Sequence, residues 1–173
     1  MADLALLPRG SLVFVDTNIF AYHFQGMSAT CTAFFHRLAA GEVVGVSNTE
    51  VLSDLAHKLM LAEAQRRGDI SKATAKFMKE KLVGDRGCIG RLPEFEVNLE
   101  RVVQMGMRIV AVSVKLLLET RAERAKWGLM MNDSLHLGTM LRSVPPVADI
   151  ATRDGDFGHV EGVTKWEPLD VVA

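Results

Sequence analysis

Short apolar runs that alternate with longer segments of helical period are the feature that most constrains what this chain can fold into. Strands are predicted at residues 12–16, 42–47, 107–113 and 145–152, with a short last strand at 163–169. Strands that alternate with helices generally pair in parallel within one sheet, and helices cover its faces. The pattern therefore predicts an α/β fold with a mainly parallel central sheet.

The segments between the strands carry apolar side chains at helical spacing and good helix formers. Helices are predicted from residue 19 to about 40 with a break near Gly26, then at 49–68, 71–82, 94–105 and 114–126, and after Asn132, which caps the last one. The helix at 71–82 is expected to fold back on the helix before it and form a hairpin arm over about 50–91. Met130 and Met131, beside the last helix, are predicted to serve packing rather than function.

Composition indicates a soluble globular protein with one domain over residues 1–173, since 49% of the residues are hydrophobic and 24% are charged. Two cysteines outside any CxxC pattern indicate neither a disulfide framework nor a zinc site, which favours a reducing compartment. No apolar run approaches the roughly 18 residues of a membrane span, so we expect a cytoplasmic protein without a membrane partner.

The charge distribution limits how the chain can attract nucleic acid. The net charge is −1, so any such binding must come from a local patch. One basic segment lies between Lys58 and Arg91, where nine basic residues stand against four acidic ones. Its members Lys58, Arg66, Arg67, Lys72 and Lys76 are candidate RNA-binding residues, although a solvated helical face is the simpler explanation for any such run taken alone.

Carboxylates follow the predicted strands or open the predicted helices at several separate points. Asp16 closes the first strand, Glu50 follows the second, Asp133 begins the last helix, and Asp154 and Asp156 follow the fourth strand. Each alone is ordinary turn or helix-cap chemistry. Ligands of parallel sheets bind at the carboxyl ends of the strands, however. The recurrence of acids at these positions therefore predicts one shared acidic site.

Such a site would need cations. Two like charges about 4 Å apart repel by about 4 kcal/mol at an effective dielectric constant of 20. Oxygen ligands select hard divalent ions, and Mg²⁺ or Mn²⁺ at carboxylates also binds phosphate oxygens of a substrate. The acids therefore suit metal-dependent hydrolysis of phosphodiester bonds, which needs no serine or cysteine nucleophile.

Four acidic segments follow one another between residues 13 and 157: VFVDTNIFAYHF, TEVLSDL, NDSLHLGTML and ATRDGDF. In this order they resemble the four acidic motifs of PIN-domain ribonucleases, the family that includes the VapC-type toxins of toxin–antitoxin pairs. The resemblance implies a three-layer α/β/α domain and an Mg²⁺- or Mn²⁺-dependent endoribonuclease.

The resemblance also assigns roles to individual residues. The family's metal-binding and catalytic acids correspond to Asp16, Glu50, Asp133 and Asp154, with Asp156 as a further metal ligand. Thr17 and Asn18 of the DTN motif and Thr152 of the last motif would support these acids. The expected partners are an RNA substrate, a second copy of the chain and, for a toxin, an antitoxin. This chain is longer than compact toxin members, with the excess in the arm, which questions the toxin role more than the nuclease role.

Other interpretations stay open at this point. A non-catalytic RNA- or protein-binding module could retain the acidic pocket without turnover, and a metal-dependent phosphatase could use the same acids. Asp133 and His136 are three residues apart and could face one metal ion, but no paired histidine spacing of a zinc site occurs. A glycine-rich nucleotide loop and a calcium-binding loop are excluded, because the sequence lacks the motifs that these loops require.

Overall fold

A six-stranded parallel sheet forms the centre of the computed structural model, which describes residues 2–171. The strands are β1 (Ala2–Asp3), β2 (Leu12–Val15), β3 (Val44–Asn48), β4 (Arg108–Val110), β5 (Asp149–Ala151) and β6 (Thr164–Glu167). They lie in the order β1-β6-β5-β2-β3-β4, and every neighbouring pair is parallel. The predicted parallel sheet is confirmed. Strand β1 was not predicted, because two residues are too few for a recognisable pattern.

Within residues 2–171, eight α-helices connect or flank these strands. They are α1 (Thr17–Phe24), α2 (Ala29–Ala39), α3 (Thr49–Arg66), α4 (Ala75–Gly84), α5 (Glu94–Gln104), α6 (Val114–Glu119), α7 (Arg121–Trp127) and α8 (Met131–Arg142). Short 3-10 helices span Leu4–Leu6, Ile89–Arg91 and Gly155–His159. The predicted break near Gly26 is confirmed, because this glycine has a φ of +67° and Ser28 starts α2 by accepting a hydrogen bond from the Cys31 backbone N–H.

Two helix predictions are wrong in detail. The predicted helix at 114–126 is interrupted at Thr120, where α6 ends and α7 begins. Asn132 does not cap α8, since the helix begins one residue earlier at Met131 and Met130 occupies the cap position. Asn132 lies instead in the first turn, and its side-chain amide donates to Asp54 Oδ2 at 3.2 Å.

The strand order places a topological switch point between β2 and β5. The chain adds β3 and β4 on one side of β2 and then returns to add β5 and β6 on the other side. Because such crossovers are right-handed, α1–α5 and α6–α8 cover opposite faces of the sheet. A crevice opens outside the carboxyl ends of two strands at such a switch point, and ligands bind there.

The main core packs both helical layers against the sheet. On β2, Phe14 points to one face while Val13 and Val15 point to the other, and all three are fully buried. A buried side chain of this size contributes about 1.5–3 kcal/mol of transfer free energy. The strand that carries Asp16 at its end is therefore anchored in the core on both faces.

The segment of the predicted arm, 50–91, is helical. Helix α3 packs along both α1 and α5, which lie outside the predicted arm. Glu63 of α3 accepts a hydrogen bond from the Phe95 backbone N–H at 2.9 Å, and Arg66 pairs with Glu94. Helix α4 joins this pair through a small second core around Leu61, Ala64, Ile70, Met78 and Leu92.

Gly138 lets α8 approach the turn between α6 and α7. An added Cβ at this position would lie 2.4 Å from Thr120 Cγ2 and 3.1 Å from Leu116 Cδ1. We expect Gly138→Ala to lower the free energy of unfolding by about 1–3 kcal/mol, measured by urea denaturation. Gly84→Ala in α4 is the matched control, since its Cβ would meet nothing within 4 Å. A Gly138→Ala protein as stable as this control would contradict the close packing.

Candidate functional site

Asp16 stands at the junction of β2 and α1, where the switch point places a ligand site. Its Oδ1 atom accepts a hydrogen bond from the Thr17 backbone N–H at 2.6 Å and so caps α1. Its Oδ2 atom accepts from Asn18 Nδ2 at 2.7 Å and from Thr152 Oγ1 at 2.6 Å. Capping therefore explains one oxygen of this carboxylate, and the second oxygen is held by Asn18 and by Thr152, the residue directly after β5.

Asn18 and Thr152 connect the ends of β2 and β5. Asn18 Nδ2 also donates to Thr152 Oγ1 at 3.2 Å, and Asn18 Oδ1 accepts from the Arg153 backbone N–H at 3.3 Å. Thr152 Oγ1 accepts a further hydrogen bond from the Asp154 backbone N–H at 2.9 Å. The DTN motif and the last motif, 136 residues apart, thus form one hydrogen-bonded unit around Asp16.

The loop after β5 holds Asp154 and Asp156 beside this unit. Asp154 Oδ1 accepts a hydrogen bond from the Asp156 backbone N–H at 2.9 Å and caps the 3-10 helix Gly155–His159. Lys165 of β6, almost buried, donates from Nζ to the Asp154 carbonyl oxygen at 2.6 Å. Asp154 is half-buried, whereas Asp156 is exposed at the rim.

Asp133 reaches the same site from the first turn of α8. Burial, and after it the nearby charges of Asp154, Asp156 and Asp16, together raise the pKa of this half-buried carboxyl from its ordinary value of 3.8 to about 6. Acids from three separate parts of the chain thus lie close enough to act on one another's charge.

The first three turns of α3 supply the remaining charged side chains. Asn48 caps this helix through the Val51 backbone N–H at 3.0 Å. Glu50, Asp54 and Lys58 then follow at intervals of four residues, which places them along one face of the helix. Sequence reasoning missed Asp54, although its spacing from Glu50 was the signal that could have found it.

These groups surround a cavity of about 410 Å³ at the carboxyl ends of the strands. It is lined by Asp16, Thr17, Asn18, Asp54, Lys58, Met130, Met131, Asn132, Asp133, His136 and Asp154. The structure thus brings Asp16, Asp133 and Asp154 together as predicted. Glu50, which was predicted to be a site acid, is half-buried beside the cavity but does not line it. Asp54, one turn later on α3, does line it.

His136 lies on the inner wall of this cavity and is only 3% exposed. Burial lowers the pKa of its imidazole, while the charges of Asp16, Asp54, Glu50 and Asp154 act in the opposite direction. Neither ring nitrogen has a hydrogen-bond partner within residues 2–171. From their spacing in the sequence, Asp133 and His136 could face one metal ion, and the structure places both side chains at the same cavity.

Comparison with solved structures places the fold among bacterial toxins. VapBC2 from Rickettsia felis, bound to a promoter DNA fragment, matches with a TM-score of 0.56 at 14% identity, over 90% of this chain and 98% of the other. VapC20 of Mycobacterium tuberculosis, a toxin that cleaves the sarcin–ricin loop, matches with a TM-score of 0.52 at 15% identity, over 84% and 92%. This chain has the PIN fold of the VapC toxins. A toxin–antitoxin complex from Klebsiella pneumoniae shares it, with a TM-score of 0.53 at 16% identity over 88% and 95% of the chains.

Among the comparisons with known proteins, only the structural one finds a match. No protein-family model and no curated protein sequence matches this chain. In the part of the chain that the structure describes, no helix is long and apolar enough to cross a membrane.

Two methionines form the outer edge of the cavity. Met130 is 74% exposed and Met131 is 44% exposed, and both line the cavity. The prediction that they serve packing is therefore wrong. They lie at the start of α8, where the backbone enters the helix at the protein surface, and they add an apolar edge to an otherwise polar site.

The candidate RNA-binding residues divide into two groups. Lys58 lines the acidic cavity, and Lys72 and Lys76 are exposed on or near α4. Arg66 pairs with Glu94, and Arg67 lies 3.8 Å from both Glu63 and Asp69 carboxylate oxygens. These two arginines are already compensated within the arm, so Lys58 is the only one of the five that adjoins the acids.

The donor atoms of the cavity fit a hard divalent ion. Among residues 2–171 no three histidine, cysteine or acidic side chains stand close enough to form a closed metal site. Mg²⁺ and similar ions do not need one, because they take one or two carboxylates and keep water or phosphate oxygens as their other ligands. The negative charges of Asp154, Asp156 and Asp16, which together with burial raise the pKa of Asp133, are charges that such an ion would neutralise.

Proposed function

We propose that the protein is an endoribonuclease that hydrolyses RNA phosphodiester bonds with a bound Mg²⁺ or Mn²⁺ ion. The observation that carries this proposal is the convergence of Asp16, Asp133 and Asp154 on one open cavity at the switch point of a PIN fold. One or two of these three acids would bind the ion directly and the others through its water molecules, with Asp156 at the rim and Glu50 beside the cavity as further members. When bound, such an ion activates water and stabilises the leaving oxygen.

The supporting residues keep the acids in place before substrate arrives. Thr17, Asn18 and Thr152 supply three hydrogen-bond donors to the two oxygens of Asp16, which fixes the orientation of that carboxylate. Lys165 fixes the backbone beside Asp154. A site fixed in this way loses little free energy to reorganisation during the reaction.

The cavity shape favours a polymer over a small phosphate ester. The acids line an open depression whose edge carries the apolar Met130 and the cationic Lys58, so a strand can cross it with a phosphate near the acids. RNA as the substrate rests on the PIN fold and on VapC20, whose name describes an RNA-cleaving toxin. The same likeness supports a toxin role with an antitoxin partner, as in the two toxin–antitoxin complexes. A homodimer stays a proposal that rests on the family resemblance of the four acidic motifs.

The test is incubation of end-labelled RNA with the purified chain in Mn²⁺ or Mg²⁺ and, in parallel, in EDTA. We expect discrete products with either ion and none with EDTA. A non-catalytic binding module would instead shift the RNA in a gel without producing fragments under any of these conditions. Intact RNA with both ions, at protein concentrations that bind it, would therefore refute the nuclease.

Lys58 offers a separate test of how the strand is held. If Lys58 neutralises one phosphate, Lys58→Ala should lower RNA affinity and reduce the slope of log K against log[salt] by about 0.7. Lys79→Ala is the matched control, since Lys79 is also exposed but does not line the cavity. Fluorescence anisotropy at several salt concentrations measures both. Equal slopes for the two variants would remove Lys58 from the RNA-binding surface.

A further inference from the structure

His136 is a buried polar side chain without a partner. It is 3% exposed, and both Nδ1 and Nε2 lack a hydrogen bond to any residue in the described range 2–171. Buried polar groups in folded proteins are nearly always paired, because burial without a partner costs free energy. The imidazole therefore calls for a partner that is not a protein atom.

The position of His136 indicates that this partner lies on the side of the acids. Its ring packs on Phe14 with centroids 5.4 Å apart. Phe14 and Asp16 are two residues apart at the end of β2 and so lie toward the same face of the sheet. On α8, His136 is one turn after Asp133, and both line the cavity. The imidazole thus lies at the wall of the same cavity that Asp16 and Asp133 line.

Packing alone does not explain a histidine here. The neighbouring buried residues of α8 include Leu135, Leu137 and Met140, and the ring of Phe14 supplies an apolar surface. A leucine at this position would fill similar space and leave no unpaired nitrogen. The imidazole is therefore retained at a free-energy cost that a ligand would offset.

We propose that His136 contributes one nitrogen ligand to the divalent ion held by the acids, and that the site consequently prefers first-row transition ions to Mg²⁺. This inference rests on the proposed metal-dependent function. Imidazole is a good ligand for transition ions, whereas Mg²⁺ favours oxygen. Water and phosphate oxygens would complete the coordination, since the described side chains do not form a closed set of three.

Pulsed electron paramagnetic resonance of the Mn²⁺-loaded wild-type protein tests the assignment directly. A coordinated imidazole nitrogen gives a characteristic nitrogen modulation, and this signal should change when the protein is made with [¹⁵N]histidine. We expect the signal in the wild type and in the control His57→Gln, which removes an exposed histidine of α3. We expect its loss in His136→Leu and in His136→Gln. Manganese bound without any nitrogen signal in the wild type would overturn the proposal.

Calorimetric titration provides the second measurement. Loss of second-shell groups already weakens metal sites by about 10–100-fold, so His136→Leu should weaken Mn²⁺ binding by at least about tenfold. Mg²⁺ affinity should change little, and the metal-free variant should unfold at no lower urea concentration than the wild type. Equal losses for both ions, or unchanged Mn²⁺ affinity, would overturn the nitrogen ligand.

The outcomes separate this inference from the nuclease itself. If wild type and His136→Leu bind both ions alike and both cut RNA, only the histidine ligand fails. If Mn²⁺ binds with the nitrogen signal but RNA stays intact, the ligand is supported and the proposed ribonuclease fails.

Discussion

Asp16→Asn is expected to abolish RNA cleavage, with a loss of about 10²-fold or more, while the chain keeps its fold. The substitution keeps the size of the side chain and removes the charge from the acid at the centre of the hydrogen-bonded unit. An amide can accept at only one of its two terminal atoms. It therefore cannot satisfy both Thr17 on one side and Asn18 with Thr152 on the other.

Asp16→Asn also tests whether Asp16 serves only as the cap of α1 or binds the metal ion as well. Asp3 caps the short 3-10 helix at Leu4–Leu6 through the Ala5 backbone N–H, and asparagine is an equally good cap. Asp3→Asn is therefore the matched control and should leave cleavage unchanged. Asp16→Asn should also cost about 1–3 kcal/mol of unfolding free energy from the unsatisfied donors. An Asp16→Asn preparation that is folded by circular dichroism and cuts RNA like the control would refute the role of Asp16.

Asp133→Asn is expected to lose cleavage and yet stabilise the metal-free protein. The pKa of Asp133 is raised by burial and by its acidic neighbours to about 6, so the folded chain holds this proton more tightly than the unfolded chain does. The free energy of unfolding therefore falls as the pH rises from about 4 to about 6, and the penalty is fully present above pH 6. Asparagine carries no charge at any pH and avoids the penalty.

The expected gain is about 1 kcal/mol above pH 6, because the group is half-exposed and solvent screens part of the roughly 3 kcal/mol that the pKa difference would represent. Below about pH 4 the two proteins should have equal stability. Urea denaturation in EDTA at several pH values measures this difference. Added Mn²⁺ should reverse the order, since an ion at 100 times its dissociation constant stabilises the wild type by about 2.7 kcal/mol. A variant less stable than the wild type at pH 7 in EDTA would contradict the conclusion that burial and the neighbouring acids disfavour the ionised form of Asp133.

Much of this account was predictable because the strands are short apolar runs with an acid directly behind them. The end of β2 at Val15 with Asp16 next, and the end of β5 with Thr152 and Asp154 next, are local patterns that any parallel sheet brings to one edge. The rule that ligands bind at that edge then joins residues that are far apart in sequence. The site could therefore be proposed without knowing the strand order.

Other features depend on packing that no local pattern records. Asp54 faces the cavity only because α3 leaves β3 at a particular angle, and His136 is buried only because α8 covers Phe14. Arg66 looked available for RNA until α5 brought Glu94 beside it. Met130 looked like a core residue because its exposure depends on where α8 begins.

The central claim is that the carboxylates after β2, at the start of α8 and after β5 jointly hold a divalent ion. Anomalous diffraction from a crystal grown with Mn²⁺, collected near the manganese absorption edge, tests it most directly. We predict an anomalous peak within ligand distance of carboxylate oxygens of Asp16 and of Asp133 or Asp154. A fully Mn²⁺-soaked crystal with an accessible cavity and no peak there would contradict the account.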